Sequence, residues 1–422
     1  MQAIAVLEEE PASKAKATAY SLMSQLKMLA DLSDDCIFWG EKAIALSKEL
    51  AINDTLSYAL GNVGSIKIRI PGSYLEGLEL LRQSLSLALQ HSFQDYAGMA
   101  YTNLGYNGLV VKDYALAKEA VAYGIPYCEE NDLDLWRLYL VTINAKLTLD
   151  TGDWTAAYEL STKLAEDEKP AKIIKIFALT ILANIDMRRG NEVNILTRLI
   201  EAKEKAFETA EPQRIIQALT AFLEYEWITG EYFIENETLR SAIELISKRG
   251  NIFGNSEFAF WLYKARGQRL QLKEVYEAFD IGTVAKAQRA AVLWNEIGCP
   301  YNKALALFAG TEDNKKEAIG IVQGLGADAV YQKMKMEMRS SGIKNIPRGL
   351  RKSTQANPAQ LTSRELDVLQ LMNEGLQNKE IAGKLFISAK TVEHHISSIL
   401  FKLDSTTRAK ALNEAQRLSI IK

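Results

Sequence analysis

Residues 361–403, LTSRELDVLQLMNEGLQNKEIAGKLFISAKTVEHHISSILFKL, read as three short helices. Thr362 followed by Glu365 makes a capping box that opens an apolar-periodic segment, Leu366, Leu369, Leu371 and Met372, and Gly375 takes the C-cap position. Asn378 is expected to cap a second helix that buries Ile381, Ala382 and Leu385. After Phe386-Ile387, Ser388 caps a third, in which Val392, Ile396, Ile399, Leu400 and Leu403 share one face at helical spacing. Thr406 is expected to cap a fourth, running through Ala409, Leu412, Ala415 and Leu418. Two helices joined by a short turn and buttressed on both sides follow the helix-turn-helix plan.

Winding the third helix places Lys390, His394, Ser397, Ser398 and Phe401 opposite its apolar stripe, with Thr391 and Glu393 on the flanks. Such side chains can hydrogen-bond base edges or phosphates. On an isolated helix the same face reads first as a solvated one. What adds DNA to the reading is Lys379 at the start of the preceding helix, where free backbone N–H groups and a cation suit a phosphate. His394 and His395 point about 100° apart on a helix, and no third ligand lies near them in sequence, so no metal is expected.

These residues carry a resemblance. The segment resembles the LuxR (GerE-type) DNA-binding domain, with its L-T-x-R-E-x-x-V-L, G-L-x-N-K-E-I-A, L-x-I-S-x-K-T-V-x-x-H and K-L cues over about 60 residues. The resemblance implies a four-helix domain over 357–422, with the helix-turn-helix proper at about 379–398 and pairing of two copies through the fourth helix. It also implies that Lys379, Lys390, Thr391, Glu393, His394, Ser397 and Lys402 face double-stranded DNA. This chain departs from the pattern at Glu393, where many members carry a basic residue, and at Phe401, where arginine is common. Glu393 suggests a different base preference, such as acceptance from cytosine N4.

The 422 residues are 48% apolar and 24% charged, enough for two or more cores. No apolar run approaches 18 residues and the start does not resemble a signal peptide, so the expectation is a cytoplasmic protein, nucleoid-associated through its DNA, with no membrane partner. Cys36, Cys128 and Cys299 are odd in number and far apart, which fits buried thiols better than disulfides or a metal site. The net charge of −3 hides an asymmetry. Residues 333–422 hold 16 Lys/Arg against 8 Asp/Glu, and the rest 34 against 45. A basic tail on an acidic body is the layout of a nucleic-acid reader with a protein-facing or ligand-facing front half.

Upstream, a turn-like tripeptide recurs: Gly72-Ser73-Tyr74, Lys112-Asp113-Tyr114, Gly152-Asp153-Trp154, Gly190-Asn191-Glu192 and Gly230-Glu231-Tyr232, with a weaker copy at Asp34-Asp35-Cys36. The period is 38–40 residues, and small residues precede several turns, as in Asn62-Val-Gly64 and Asn103-Leu-Gly105. This pattern predicts an all-α helix-turn-helix solenoid whose pairs bury their apolar faces against neighbours. The repeats resemble tetratricopeptide repeats, with a longer period. About six pairs are expected over 15–246, followed by atypical capping helices over 250–337, among them Asn251–Gly267, Val284–Ile297 and a short pair at Tyr301–Ala309 and Lys315–Leu325. Trp136, Tyr139, Tyr225, Trp227 and Trp261 read as interhelical core rather than as a ligand pocket.

Residues 338–356 are rich in Gly, Pro, Ser and basic side chains and read as a linker, whose Arg348, Arg351 and Lys352 are candidate phosphate contacts. The stretch Ile343–Pro358, together with Leu133–Tyr139 and Gly298–Leu307, is similar to a group of large bacterial LuxR regulators that carry an ATPase module, helical repeats and a reader domain. No G-x-x-x-x-G-K-[ST] loop is present. Either the nucleotide switch is absent or the chain is the C-terminal part of a longer one, and no cofactor is expected. No nucleophile–base pair or metal motif supports catalysis, so a non-enzyme is expected. The leading reading is a DNA-binding transcriptional regulator, a homodimer on DNA whose repeats sense an unknown effector or protein. The alternative is a protein-interaction scaffold tethered to DNA.

Overall fold

The computed structural model describes residues 9–166, 171–249, 251–347, 359 and 361–421. Among these residues the regular elements are 21 α-helices and a 3-10 turn at Glu277–Phe279. The first twelve are α1 (Lys14–Leu29), α2 (Ser33–Glu49), α3 (Asn53–Lys67), α4 (Tyr74–Gln90), α5 (Gln94–Val111), α6 (Tyr114–Glu130), α7 (Asp134–Asp150), α8 (Trp154–Glu166), α9 (Lys172–Arg189), α10 (Ile195–Thr209), α11 (Pro212–Thr229) and α12 (Asn236–Lys248). The odd members from α3 to α11, with the following α13 (Ile252–Arg266), begin at residues 53, 94, 134, 172, 212 and 252. Repeat-like packing of antiparallel helices is therefore the architecture of this part.

The recurring tripeptides mark the turns. Gly72, Lys112, Gly152, Gly190 and Gly230 all have positive φ, from 65° to 100°. The chain there leaves a helix through the left-handed region, which glycine enters without a Cβ clash. Tyr74, Tyr114 and Trp154 each open a helix as expected. Glu192 and Tyr232 do not: they lie in longer loops before α10 and α12. The weaker copy at Asp34-Asp35-Cys36 sits in the first turn of α2.

Close packing follows from missing side chains. A Cβ on Gly77 would lie 2.1 Å from the Ile68 nitrogen, and one on Gly64 would lie 2.9 Å from the Gly77 carbonyl oxygen. The backbones of α3 and α4 thus touch. Gly105 is looser than its sequence context suggests; on α5 the tight positions are Gly108, where a Cβ would lie 2.8 Å from the Ala117 nitrogen, and Gly98, where one would lie 2.8 Å from the Trp136 ring. Trp227 and Trp261 are buried with ring centroids 5.8 Å apart, as core. Trp136 is only half-buried and donates to Asp95 at 2.7 Å.

The helices after α13 are α14 (Val284–Ile297), α15 (Pro300–Phe308), α16 (Glu312–Gly324) and α17 (Asp328–Ser340). They were expected to cap the end of the solenoid. They also reach back to earlier helices. A Cβ on Gly152 would meet Pro300 and Leu325, and one on Gly190 would meet Ala329. Tyr301 donates to Glu224 of α11 at 2.6 Å, and Trp227 donates to Glu337 of α17 at 2.9 Å. The returning helices bury apolar side chains such as Leu305, Val322, Val330 and Met334, and part of the contact is polar. Arg188 and Glu224, each under 10% exposed, pair with each other at 2.7 Å, and Tyr301 of α15 adds a hydrogen bond to Glu224. Because α17 continues to Ser340, the linker starts later than residue 338.

The chain divides into two compact units at Lys344/Asn345. The second unit contains α18 (Ser363–Asn373), α19 (Asn378–Leu385), α20 (Ala389–Lys402) and α21 (Arg408–Arg417). Arg348, Arg351 and Lys352 lie outside the described residues. Cys36, Cys128 and Cys299 are buried free thiols. Among the described residues no helix is long and apolar enough to cross a membrane, and no cluster of metal-ligating side chains occurs.

Candidate nucleic-acid interface

Four helices close around one small core of Leu361, Val368, Leu369, Met372, Ile381, Val392, Ile396, Ile399, Leu403, Ala411 and Ala415. Each helix start has a cap. The Thr362 side chain accepts from the Glu365 N–H, and Glu365 reaches back to the Thr362 N–H at 2.7 Å, the capping box expected there. Ser388 accepts from the Thr391 N–H at 3.0 Å. Two caps fall one residue from their expected places. Gln377, not Asn378, is the N-cap of α19, with its N–H bonded to Glu380 at 2.7 Å. Thr407, not Thr406, caps α21, and that shift turns Ala411 inward and leaves Ala409 exposed.

The cap shift at α19 has a use. Asn378 becomes the first helical residue, and its side-chain oxygen accepts from the Arg408 guanidinium. Arg408 also reaches the Leu376 carbonyl at 3.5 Å. The start of α21 is thereby fastened to the start of α19, and Gln377, Lys379, Glu393, Ser397 and Arg408 border one surface groove. Arg408 was absent from the sequence-derived set. A cap at Thr406 gives no local sign of Arg408 reaching Asn378, 30 residues upstream.

The seven sequence-derived residues separate into two groups. Lys379, Lys390, Glu393, His394 and Ser397 are exposed. Thr391 is half-buried at the helix start, its hydroxyl 2.8 Å from that of Ser388. Lys402 is turned back onto Glu365, with its ammonium 2.7 Å from the carboxylate. Ser398, read as outward-facing, donates to the same carboxylate. Burial alone would raise the Glu365 pKa, but Lys402, Ser398 and the Thr362 N–H outweigh it and hold the value at about 2. Glu365 therefore ties the capped start of α18 to α20. Phe386, in the left-handed turn between α19 and α20, and Phe401 are almost wholly exposed.

An all-α body followed by a compact helix-turn-helix unit is the class of protein defined by this geometry. Residues 359–415 match the family "Bacterial regulatory proteins, luxR family", so the chain carries a LuxR-family domain at its C-terminal end. Over 61 residues it is 49% identical to the transcriptional regulatory protein LiaR of Bacillus subtilis, covering 14% of this chain and 29% of LiaR. It is 41% identical over 70 residues to the putative HTH-type transcriptional regulator Rv0890c of Mycobacterium tuberculosis, covering 17% of this chain and 8% of that protein. The oxygen regulatory protein NreC of Staphylococcus haemolyticus is 41% identical over 61 residues, covering 14% of this chain and 28% of its own length. The matched stretch thus spans less than a third of each of these relatives.

Proposed function

We propose that the chain is a bacterial transcription regulator that binds double-stranded DNA by laying α20 in the major groove. The observation that carries this reading is the one-sided exposure of α20 beside the start of α19, within the stretch that matches the LuxR family. Lys379 lies on the first turn of α19, where a phosphate oxygen can meet both its ammonium and free backbone N–H groups. Glu393, His394 and Ser397 sit deeper along α20 as candidates for base edges, with Lys390 and Thr391 at its entry. Lys402 in this reading acts chiefly through Glu365, presenting α20 to the groove, and Arg408 adds a cation at the groove edge. Two readers pair through residues 406–418, and the repeat body, 1–337, governs that pairing in response to an effector or partner, through the linker that leads to the reader at 357–422. Raising the effective concentration of two weak readers is a sufficient switch.

The test is binding of the full chain to its operator and to random DNA over a range of salt. Lys379→Ala should weaken binding to both and reduce the magnitude of the salt slope by about one. Glu393→Ala and His394→Ala should each relax preference at one or two base pairs by about 1–3 kcal/mol. Equal weakening on both DNAs removes Glu393 and His394 from base reading. For the repeats, the expected outcome of deleting residues 1–330 is loss of regulated expression in cells. Regulation unchanged by that deletion shows that the repeats are not the sensor.

A further inference from the structure

The repeat body encloses a cavity of about 150 Å³ between the solenoid and the helices that return along it. Its wall holds four acids, Asp31, Asp150, Glu224 and Glu257, and four bases, Lys112, Lys146, Arg188 and Arg249. Three pairs are spent on each other. Lys146 and Asp150 meet at 2.5 Å, Arg188 and Glu224 at 2.7 Å, and Lys112 and Glu257 at 3.4 Å. The fourth pair is not. Among the described residues the Asp31 carboxylate makes no hydrogen bond or ion pair, although Asp31 is only 5% exposed. The buried Nε of Arg249 has no hydrogen-bond partner, and neither has the buried side-chain oxygen of Asn184, also in the wall.

The buried Arg249 and Asn184 atoms are costly to leave unmade in a folded interior. Burial pushes the Asp31 pKa up, with Arg69 and Arg249 opposing, so a cationic partner at the carboxylate would be favourable. Arg249 presents a donor to an anionic or carbonyl oxygen, and Asn184 presents an acceptor to an N–H or O–H. Tyr106, Phe177 and Trp261 add apolar faces. The equal number of acids and bases in the wall favours a ligand without net charge.

We propose that this cavity is the effector site of the repeat body and that its ligand is a small zwitterion of the size of a free amino acid, ammonium on Asp31 and carboxylate on Arg249. The assignment rests on the sensory role proposed above and gives that role a site and a ligand class. The three closed ion pairs frame the cavity, while the open pair reads the ligand. Occupation joins α12, through Arg249, to the turn after α1, through Asp31, two elements far apart in the chain.

The experiment is calorimetric titration and thermal melting of the full chain with each of the twenty free amino acids, and with neutral mono- and disaccharides as uncharged polar controls. One amino acid, or a few of related side chain, should bind and raise the melting temperature. Asp31→Asn and Arg249→Gln should each weaken that binding at least about tenfold, the loss of roughly one charged contact, with circular dichroism unchanged. Saccharide binding without amino-acid binding overturns the ligand class, and so does amino-acid binding indifferent to both substitutions. Operator binding followed in the same samples separates the two proposals. A zwitterion that binds through Asp31 and Arg249 but leaves operator binding unchanged upholds the site and overturns the sensory role. Operator binding that responds only to a non-zwitterionic metabolite upholds the role and overturns the site's ligand class.

Discussion

Glu224→Ala is expected to lower the stability of the repeat body by about 3–5 kcal/mol, the cost of leaving a buried cation without its partner. Glu224 accepts two hydrogen bonds from Arg188, at 2.7 and 2.8 Å, and a third from the Tyr301 hydroxyl at 2.6 Å. It is 2% exposed. The loss is large against the 5–15 kcal/mol that holds a typical domain. Replacing the pair together, as Arg188→Met with Glu224→Leu, should cost much less, because no uncompensated charge remains. Urea unfolding followed by helical circular dichroism checks both. A single variant as stable as the double one would mean that the guanidinium finds another partner, such as the faces of Trp154 and Tyr301 that it already overlies.

The second large effect belongs to the reader. Glu365→Ala should destabilise α18–α21 by about 3 kcal/mol, in the range for breaking a charge pair of which one member is buried, and should weaken operator binding because Lys402 and Ser398 lose the anchor that sets α20. The pH dependence follows from the sign of the shift. With a folded pKa of about 2, below its ordinary 4.5, Glu365 contributes stability that is fully present above about 4.5 and is lost as the pH falls toward 2. Glu365→Gln should flatten that part of the acid-unfolding curve. Fluorescence cannot follow it, since the six tryptophans lie upstream, from Trp39 to Trp294. Nuclear magnetic resonance of the α20 amides can. An acid limb unchanged by the substitution would show that Glu365 does not carry the pH dependence.

Legibility depended on how far apart the interacting residues lie in the chain. The Thr362–Glu365 box was readable because both partners sit in one turn, and the stripe from Val392 to Leu403 because helical periodicity is a local property. Gln377 and Thr407 took caps read as Asn378 and Thr406. Neighbouring polar residues compete for such a position, and at α19 the Asn378 side chain is instead engaged by Arg408 of another helix. Nothing local announces that Arg188 meets Glu224 or that Tyr301 reaches both, across separations of 36 and 77 residues. α17 went unread because only Val330, Tyr331, Met334 and Met338 are buried among its 13 residues, with charges interspersed. Of the set expected to face DNA, exposure was legible for Lys379, Lys390, Glu393, His394 and Ser397. The inward turn of Lys402 was not, since its carboxylate lies 37 residues upstream.

The return of α14–α17 gives the repeat body the mechanics of a clasped spring. An open solenoid flexes along its length, with each repeat free to change pitch at the expense of one neighbour. Here the Tyr301–Glu224 and Trp227–Glu337 contacts bolt the tail to the mid-section. A strain introduced at α1 or α12 cannot dissipate at a loose end. α17, the last helix of this body, is itself held to α11 by the Trp227–Glu337 contact, so the chain leaves the body from a fixed helix and not from a loose end.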